Sequence, residues 1–205
     1  HHTFQAFAPV MPVETYTLLK QCNSILAGLP SDDWERWLDF LTPVELDVHN
    51  VIHEAMRHEK YIYFPVTCII SVQYDFEDGT TAEFAEIGNE GMTGTFILAG
   101  NTATISHSTV ISKGLAYRVD SSFIEHEFDH SSAFRRQILR YMQLLMLYTA
   151  QTAVCNRRHS ITQQLARVLL VNLDRVMGND LVFTHELIAK GLGVRREGVT
   201  QAAQS

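Results

Sequence analysis

The first hydrophobic pattern along the chain is helical. Apolar residues recur at helical spacing over residues 16–26, and Gly28 follows as a stop signal. A second helix is predicted from Ser31, because its hydroxyl suits an N-cap and because Trp34 and Trp37 begin a buried stripe after it. The chain therefore opens on two short amphipathic helices.

From Pro43 to Asp120 the hydrophobic period changes to two. This alternation is typical of strands with one buried face. Asp78-Gly79 predicts a tight hairpin turn, because the pair accepts the positive φ that such turns need. About eight short strands would close this stretch into a β-barrel or jelly roll.

A long helix is predicted from Ser132 to about Cys155, since no Gly or Pro interrupts the stretch. Its apolar residues form two faces, and one follows the alternating steps of three and four that are typical of a coiled coil. One face can pack on the β-domain and the other on a second copy, which predicts a homodimer; burial of the helix within one monomer is the alternative. The predicted dimer-interface residues are Ile138, Tyr141, Met142, Leu145, Tyr148 and Thr152.

The last part of the chain has the spacing of a helix-turn-helix. Ser160 is the predicted cap of a helix that ends near Leu173, and the two helices of the motif follow from His185. Ala189 is small where the helices cross, and Gly193 stands where the turn needs positive φ. Apolar residues occupy the facing positions Ile188, Leu192, Val194, Val199 and Ala202. Two packed helices with a glycine cap are the alternative.

The second helix of the motif begins near Arg195. N-terminal residues of a recognition helix reach base edges in the major groove. Arg196 can pair with guanine and Glu197 with cytosine, so both are predicted to read bases, whereas Arg195 is predicted to bind phosphate. The predicted DNA-binding residues are Arg195, Arg196, Glu197, Thr200, Gln201 and Thr184.

The charge of the chain is divided between its two parts. Residues 1–130 hold 6 Lys and Arg against 19 Asp and Glu, whereas residues 131–205 hold 10 against 4. The net charge is therefore −13 in the first part and +6 in the second. A basic C-terminal third on an acidic body is expected when one module meets the phosphates of double-stranded DNA, although chance clustering of charges is the alternative.

The remaining composition excludes several classes of protein. No run of eighteen apolar residues is present and the start lacks the pattern of a signal peptide, so we expect a soluble cytoplasmic protein with no membrane contact. Cys22, Cys68 and Cys155 are odd in number and scattered, which argues against a disulfide framework, a zinc site or an iron–sulfur cluster. No metal site, cofactor or catalytic residue is predicted.

The order of these parts resembles the cyclic-AMP receptor protein / fumarate–nitrate regulator (CRP/FNR) superfamily. The resemblance covers nearly the whole chain and is sharpest at residues 151–167 and 193–199. It implies an α+β protein with a cyclic-nucleotide-binding-like sensor domain at 14–130, a dimerisation helix at 131–157 and an incomplete helix-turn-helix domain at 158–205. It also implies a transcription regulator, with RNA polymerase as a candidate partner.

The resemblance places the effector pocket in the sensor domain. The corresponding residues here are Gly88, Glu90, Gly91, Thr93, Ser106, His107 and Ser108. The arginine that grips a cyclic phosphate in cyclic-nucleotide-binding relatives is missing, because the chain reads Ser-His-Ser at that place. We therefore expect weak or no cyclic-AMP binding and an effector of unknown chemistry.

A second departure lies at the C-terminal end. The chain stops at Ser205, where the family continues into a β-hairpin wing, so we expect the wing to be missing. This keeps open a sensor or scaffold dimer that does not bind DNA. A further alternative is a metal-dependent barrel enzyme that uses His49, His53, His58 and His107.

Overall fold

The structure is a computed structural model that describes residues 20–77, 81–100, 104–175 and 184–204. Two short helices come first, α1 (Ser24–Ala27) and α2 (Ser31–Trp37). The side chain of Asn23 accepts hydrogen bonds from the N–H groups of the first turn, so α1 begins at Ser24; residues 16–19 of the helix predicted over 16–26 lie outside the described residues. Ser31 is the first residue of α2 and Pro30 is its N-cap, so the predicted capping role of Ser31 is wrong.

Seven strands form the β-domain in the described part of the chain. They are β1 (Thr42–Leu46), β2 (Val51–His53), β3 (Tyr61–Pro65), β4 (Ile69–Asp75), β5 (Thr81–Ile87), β6 (His107–Ser112) and β7 (Gly114–Asp120). A three-stranded sheet has the order β1-β7-β3 and a four-stranded sheet has the order β2-β6-β4-β5. All pairs are antiparallel, as in a jelly roll, and the described strands do not close into a barrel. The predicted Asp78-Gly79 turn lies outside the described residues.

Both sheets contribute to the core between them. Leu46 and Ala116 of the three-stranded sheet pack with Ile70 and Val110 of the four-stranded sheet, and all four are less than 9% exposed. The alternation read from the sequence therefore reports a real buried face on each sheet.

A larger core joins the leading helices, β3, β7 and two later helices, α3 (Ser121–His130) and α4 (Ser132–Arg158). Trp37 is at its centre, with ring centroids 5.8 Å from Phe64 and 4.9 Å from Phe134 in edge-to-face geometry. The side chains of Asp120 and Ser131 accept hydrogen bonds from backbone N–H groups in the first turns of α3 and α4, so each helix begins directly after its capping residue. Within the described residues, no helix is both long and apolar enough to cross a membrane.

The C-terminal part is helical. It comprises α5 (Ile161–Leu173), α6 (His185–Leu192) and α7 (Arg196–Ala203). Ser160 and Gln163 form a reciprocal capping box at the start of α5, which confirms the predicted start. Residues 176–183, between α5 and α6, lie outside the described residues.

Candidate nucleic-acid interface and sensor site

The turn between α6 and α7 is built by a glycine. Gly193 ends α6 with a φ of 65°, a left-handed conformation that glycine adopts without steric cost. The N–H of Val194 donates to the carbonyl of Ala189 at 3.0 Å, as at a Schellman-type helix end. The hydroxyl of Thr184 accepts from the N–H of Leu187 at 3.1 Å. Local sequence therefore fixes both ends of α6.

The two helices of the motif cross over a small core with α5. Ile188 and Ala189 of α6, Val199 of α7 and Leu165 of α5 are its buried members. Three further residues pack against it at the remaining positions that the sequence assigned to the motif: Leu192, Val194 and Ala202. The predicted apolar spacing therefore describes how the helices pack.

The start of α7 faces solvent. Arg195 is the N-cap, and Arg196 and Glu197 are the first two helical residues; all three side chains are exposed. Gln201 is also exposed, one turn further on. A guanidinium and a carboxylate at the start of an exposed helix are available to groove edges of DNA.

Thr184 and Thr200 have structural roles as well as their predicted DNA contacts. The Thr184 hydroxyl caps α6, and the Thr200 hydroxyl donates to the carbonyl of Arg196 at 3.1 Å. The Thr200 oxygen also lies 3.1 Å from Nδ1 of His185. His185 is an exposed residue beside the middle of α7 that sequence reasoning missed; its position at the start of α6 is the signal that could have found it.

Three of the predicted effector-pocket residues lie together after β5. The N–H of Gly88 donates to the Glu90 carboxylate at 3.2 Å. Gly91 lies against the ring of Tyr141 in α4, and a Cβ added there would be 2.3 Å from ring atoms. A side chain at position 91 therefore has no room, which explains the glycine.

Arg175 completes this group of residues and was missed by the sequence analysis. Its guanidinium lies 2.8 Å from Glu86, 2.9 Å from Glu90 and over the ring of Tyr148. A cavity of about 260 Å³ is lined by Glu86, Glu90, Arg175 and residues of α4, among them Tyr141 and Tyr148. Arg175 follows α5 and is 89 residues from Glu86 in sequence, so no local pattern indicates the pair.

The other predicted pocket residues have different partners. The Thr93 hydroxyl oxygen accepts from the N–H of Tyr63 at 3.0 Å and lies 2.9 Å from His53 Nε2. Ser106 pairs with Thr104 at 2.8 Å. His107 Nδ1 lies 2.9 Å from Asp75, and Ser108 is buried opposite Val72 in the sheet. These four residues therefore contact residues outside the group formed by Gly88, Glu90 and Gly91.

Two neighbouring acidic residues, the half-buried Glu83 and the buried Glu86, lie where the β-domain meets the C-terminal helices. The carboxylate of Glu83 in β5 accepts from the hydroxyl of Ser71, and the backbone of Gly191 in α6 packs on it so closely that a Cβ would be 3.3 Å away. Burial and the neighbouring carboxylate of Glu86 raise the pKa of Glu83 well above its ordinary value. Glu86 is itself bound by Arg175 and, at 2.9 Å, by the amide of Asn172.

The histidines proposed for a metal-dependent enzyme are not assembled. His53 is buried with its Nε2 4.0 Å from Glu59, whereas His49 and His58 are exposed and His107 pairs with Asp75. In the described residues no group of three or more His, Cys, Asp or Glu is placed to hold a metal ion. Burial lowers the pKa of His53 to about 4 and raises the pKa of Glu59 to about 7.

The predicted dimer seam of α4 faces its own chain. Ile138 and Tyr141 are 0% and 5% exposed in the large core, so a second chain cannot reach them, and this corrects the prediction for those two residues. Met142 and Leu145 pack against the same core. The ring of Tyr148 lies beneath the guanidinium of Arg167, and the hydroxyl oxygen of Thr152 accepts a hydrogen bond from that guanidinium. The opposite face exposes Leu139, Met146, Leu147 and Val154, and Leu144 is exposed at the edge of the cavity that Tyr141 and Tyr148 line.

The chain is similar to known proteins in structure and not in sequence. No protein-family model matches the chain, and no curated protein sequence matches it. FixK2 from Bradyrhizobium japonicum has a TM-score of 0.69 at 17% identity, over 80% of this chain and 83% of that chain. A CRP/FNR-family putative transcriptional regulator from Eubacterium rectale has a TM-score of 0.66 at 13% identity, over 88% and 84%.

The chain has a CRP/FNR-like fold. CLP from Xanthomonas campestris, described as a c-di-GMP responsive global regulator, is similar too, with a TM-score of 0.65 at 13% identity over 85% of this chain and 90% of that chain. The predicted fold is thereby confirmed, with a two-sheet jelly roll and a helical C-terminal part. Identities this low establish the CRP/FNR-like fold alone.

Proposed function

We propose that the chain is a DNA-binding transcription regulator of the CRP/FNR type, which acts as a homodimer and responds to a small-molecule effector. The exposed pair Arg196 and Glu197 on the first turn of α7 carries the proposal. Arg196 can donate two hydrogen bonds to guanine, and Glu197 can accept one from cytosine. The regulators among the structural neighbours support this reading.

The other DNA contacts position the motif. Arg195 and Lys190 are exposed cations on either side of the turn and can bind phosphates, which fixes the orientation of α7. Thr184, Thr200 and Gln201 complete the proposed interface. Gly198 offers no side chain to a base.

Dimerisation is proposed through the exposed face of α4. Leu139, Leu144 and Leu147 are 52%, 64% and 56% exposed, which is unusual for three leucines on one helix. A second copy of α4 would cover these side chains, and a twofold axis would then present two α7 helices to successive turns of DNA.

The effector is proposed to act in the sensor domain, near Gly88, Glu90 and Gly91. Arg175 binds the same Glu90 and belongs to the segment that leads to the DNA-binding helices. A ligand bound at Glu90 would therefore lie next to the buried ion pair of Arg175 with Glu86, which attaches that segment to β5. We place the sensor at 14–130, the dimerisation helix at 131–157 and the DNA-binding part at 158–205. The proposal implies a cytoplasmic protein without catalytic activity, with RNA polymerase as a candidate partner.

The test is DNA binding by the intact protein. A random duplex library would first be selected for bound sequences, and affinities for the selected site would then be measured by fluorescence anisotropy over a salt series. A DNA reader releases counterions, so the logarithm of affinity falls linearly with that of salt concentration. Arg196→Ala is expected to cost about 1–3 kcal/mol on the selected site and to relax the preference at one base pair.

Arg57→Ala is the matched control, because Arg57 is an exposed arginine of the sensor domain paired with Glu54. It should leave affinity unchanged. An equal loss on all sequences with Arg196→Ala would refute base reading by this residue. Absence of any salt-dependent binding would refute the regulator proposal and favour a sensor or scaffold dimer.

A further inference from the structure

A β-bulge in β5 brings two carboxylates to one face of the sheet. Phe84 has no partner in β4, because the pairing register of the two strands shifts at this residue. Side chains alternate along a regular strand, so residues three apart would point to opposite faces. The extra residue shifts the alternation by one position, and Glu83 and Glu86 therefore line the same cleft.

The C-terminal helices cover this pair of carboxylates. Glu86 is 4% exposed and Glu83 is half-buried. Gly191 of α6 lies so close that a Cβ added there would be 3.3 Å from the Glu83 carboxylate. The α6 residues that line the cleft are Leu187, Ile188, Gly191 and Leu192, and none of these four carries a charge. Docking of α6 therefore removes water from the pair without supplying a counter-charge.

Arg175 supplies one positive charge next to the pair. Its guanidinium lies 2.8 Å from Glu86 and 2.9 Å from Glu90. One cation is thus already shared by two carboxylates before the carboxylate of Glu83 is counted. Like charges in a poorly hydrated site repel strongly, so ionisation of all three groups is unfavourable.

The other groups that face the pair do not balance its charge. Burial and the carboxylate of Glu86 raise the pKa of Tyr148 in α4, so this phenol is neutral. Arg167 of α5 lines a neighbouring cleft with Glu83, but its guanidinium lies over the ring of Tyr148 at 4.9 Å. Ser71 and Gln73 of β4 are uncharged. The pair therefore lacks a second cation.

Two buried amide oxygens beside the pair lack a donor. Gln73 is opposite Glu83 in the sheet and 4% exposed; its amide nitrogen donates to Ser71 at 2.8 Å, but its oxygen has no hydrogen-bond partner. Asn172 is 0% exposed; its amide nitrogen donates to Glu86 at 2.9 Å, and its oxygen has no partner either. Buried polar atoms are normally paired, so this site has more acceptors than donors. A proton on the carboxylates adds a donor.

We propose that Glu83 and Glu86 hold one shared proton while α6 is docked on β5, and that loss of this proton to solvent weakens the attachment of the helix-turn-helix to the β-domain. In the docked state the carboxyl group of Glu83 donates to the carboxylate of Glu86, and the hydroxyl of Ser71 donates to Glu83. The attachment of the motif to the sensor domain thereby depends on pH. The inference rests on the proposed function only in treating this motif as the DNA-binding part.

The direction of the pH dependence follows from linkage. Burial and the carboxylate of Glu86 raise the pKa of Glu83 well above 4.5 in the docked state, whereas detachment exposes the group to water. The docked state therefore binds the proton more tightly than the detached state. Its extra stability is complete below pH 4.5, falls as pH rises toward the raised pKa of the docked state and is constant above that pKa.

The experiment is hydrogen exchange on the full chain at a series of pH values, expressed as protection factors that correct for the intrinsic pH dependence of exchange. The protection of α6 in the parent, relative to that in Glu83→Gln, should fall by about tenfold or more between pH 5 and pH 8, because one proton is released on detachment. Glutamine keeps the shape of a neutral carboxyl group and cannot ionise. Glu45→Gln is the matched control, since Glu45 is an exposed glutamate of β1 paired with Lys113, and it should behave as the parent does.

Two further measurements separate proton binding from a structural role. Ser71→Ala removes a donor to the Glu83 carboxylate, so the fall in protection should continue to higher pH than in the parent. Infrared difference spectra between pH 5 and pH 8 should contain a protonated-carboxyl band that Glu83→Gln lacks. Protection of α6 that changes with pH alike in the parent and in Glu83→Gln would overturn the inference. Because no step uses DNA, failure to bind DNA would refute the proposed function and leave this result standing.

Discussion

Replacing Arg175 by methionine tests the contact between the β-domain and the C-terminal helices. The guanidinium of Arg175 lies 2.8 Å from Glu86, 3.0 Å from the Glu86 carbonyl oxygen and 2.9 Å from Glu90. Arg175 and Glu86 are 7% and 4% exposed. Methionine keeps most of the volume but removes the cation, so Glu86 retains only the Asn172 amide among these partners.

The size of the effect follows from the burial of Glu86. Removing one partner of a buried ion pair costs about 3–5 kcal/mol, because the remaining charge is left without compensation. Glu90 contributes little to this loss, since its side chain is 40% exposed and water can replace the arginine. If α5 and α6 detach from the sheet in the variant, Glu86 becomes solvated. The loss of stability is then limited to the free energy with which α5 and α6 pack on the sheet.

The assay is urea unfolding followed by tryptophan fluorescence, together with hydrogen exchange on β5 and α6. Trp34 and Trp37 both lie in the larger hydrophobic core and report its unfolding, whereas exchange reports detachment of α6. Glu86→Gln combined with Arg175→Met should recover most of the loss, because no unpaired charge remains.

The loss should also depend on pH. Burial and the carboxylate of Glu86 raise the pKa of Glu83, whereas the charge of Arg175 lowers it; without Arg175 this pKa is raised further, so the folded state holds the proton of Glu83 more tightly than the unfolded state does. Stability then falls as pH rises, and the loss should be larger at pH 8 than at pH 5. A loss below about 1 kcal/mol that is independent of pH, with unchanged exchange on α6, would refute the buried ion pair.

Two further predictions concern the long helix and the sensor core. Leu147→Glu should convert a dimer into a monomer in analytical ultracentrifugation, whereas Val51→Glu, at a similarly exposed apolar residue, should not; a dimer that survives the first change contradicts the proposed interface. Glu59→Gln should remove a pH-dependent penalty: burial raises the pKa of Glu59 from 4.5 to about 7, so ionisation destabilises the native fold as pH rises through this range. The stability of the variant relative to the natural chain should therefore increase by up to about 3 kcal/mol between pH 4.5 and 7 and then level off. Urea unfolding at a series of pH values measures this difference, and a difference that is constant with pH would contradict the burial of a neutral carboxyl.

Local spacing in the sequence was sufficient for the helix-turn-helix. Ala189 and Gly193 are required by close crossing and by a left-handed turn, both of which act within a few residues, and the structure has them there. The capping box at Ser160 is equally local. The strands were predictable for a similar reason, because alternation reports a buried face without knowledge of the partner strand.

Contacts between distant segments were not predictable. The two apolar faces of α4 are similar in composition, so the sequence could not tell which one meets the jelly roll; the structure turns Ile138 and Tyr141 inward and Leu147 outward. Burial is decided by the shape of the surface on which the helix packs. Periodicity along a single helix carries no information about that surface.

The same limit applies to the charged groups. Sequence composition assigned acidic residues to the body and basic residues to the C-terminal part, which is a property of the chain alone. Arg175 is 89 residues from Glu86 and 85 residues from Glu90 in sequence. It meets both carboxylates only because α5 lies beside the end of β5 in the folded chain. Helix ends, turns and alternating faces are local and were fixed by the residues themselves, whereas the identity of each buried partner depends on tertiary packing.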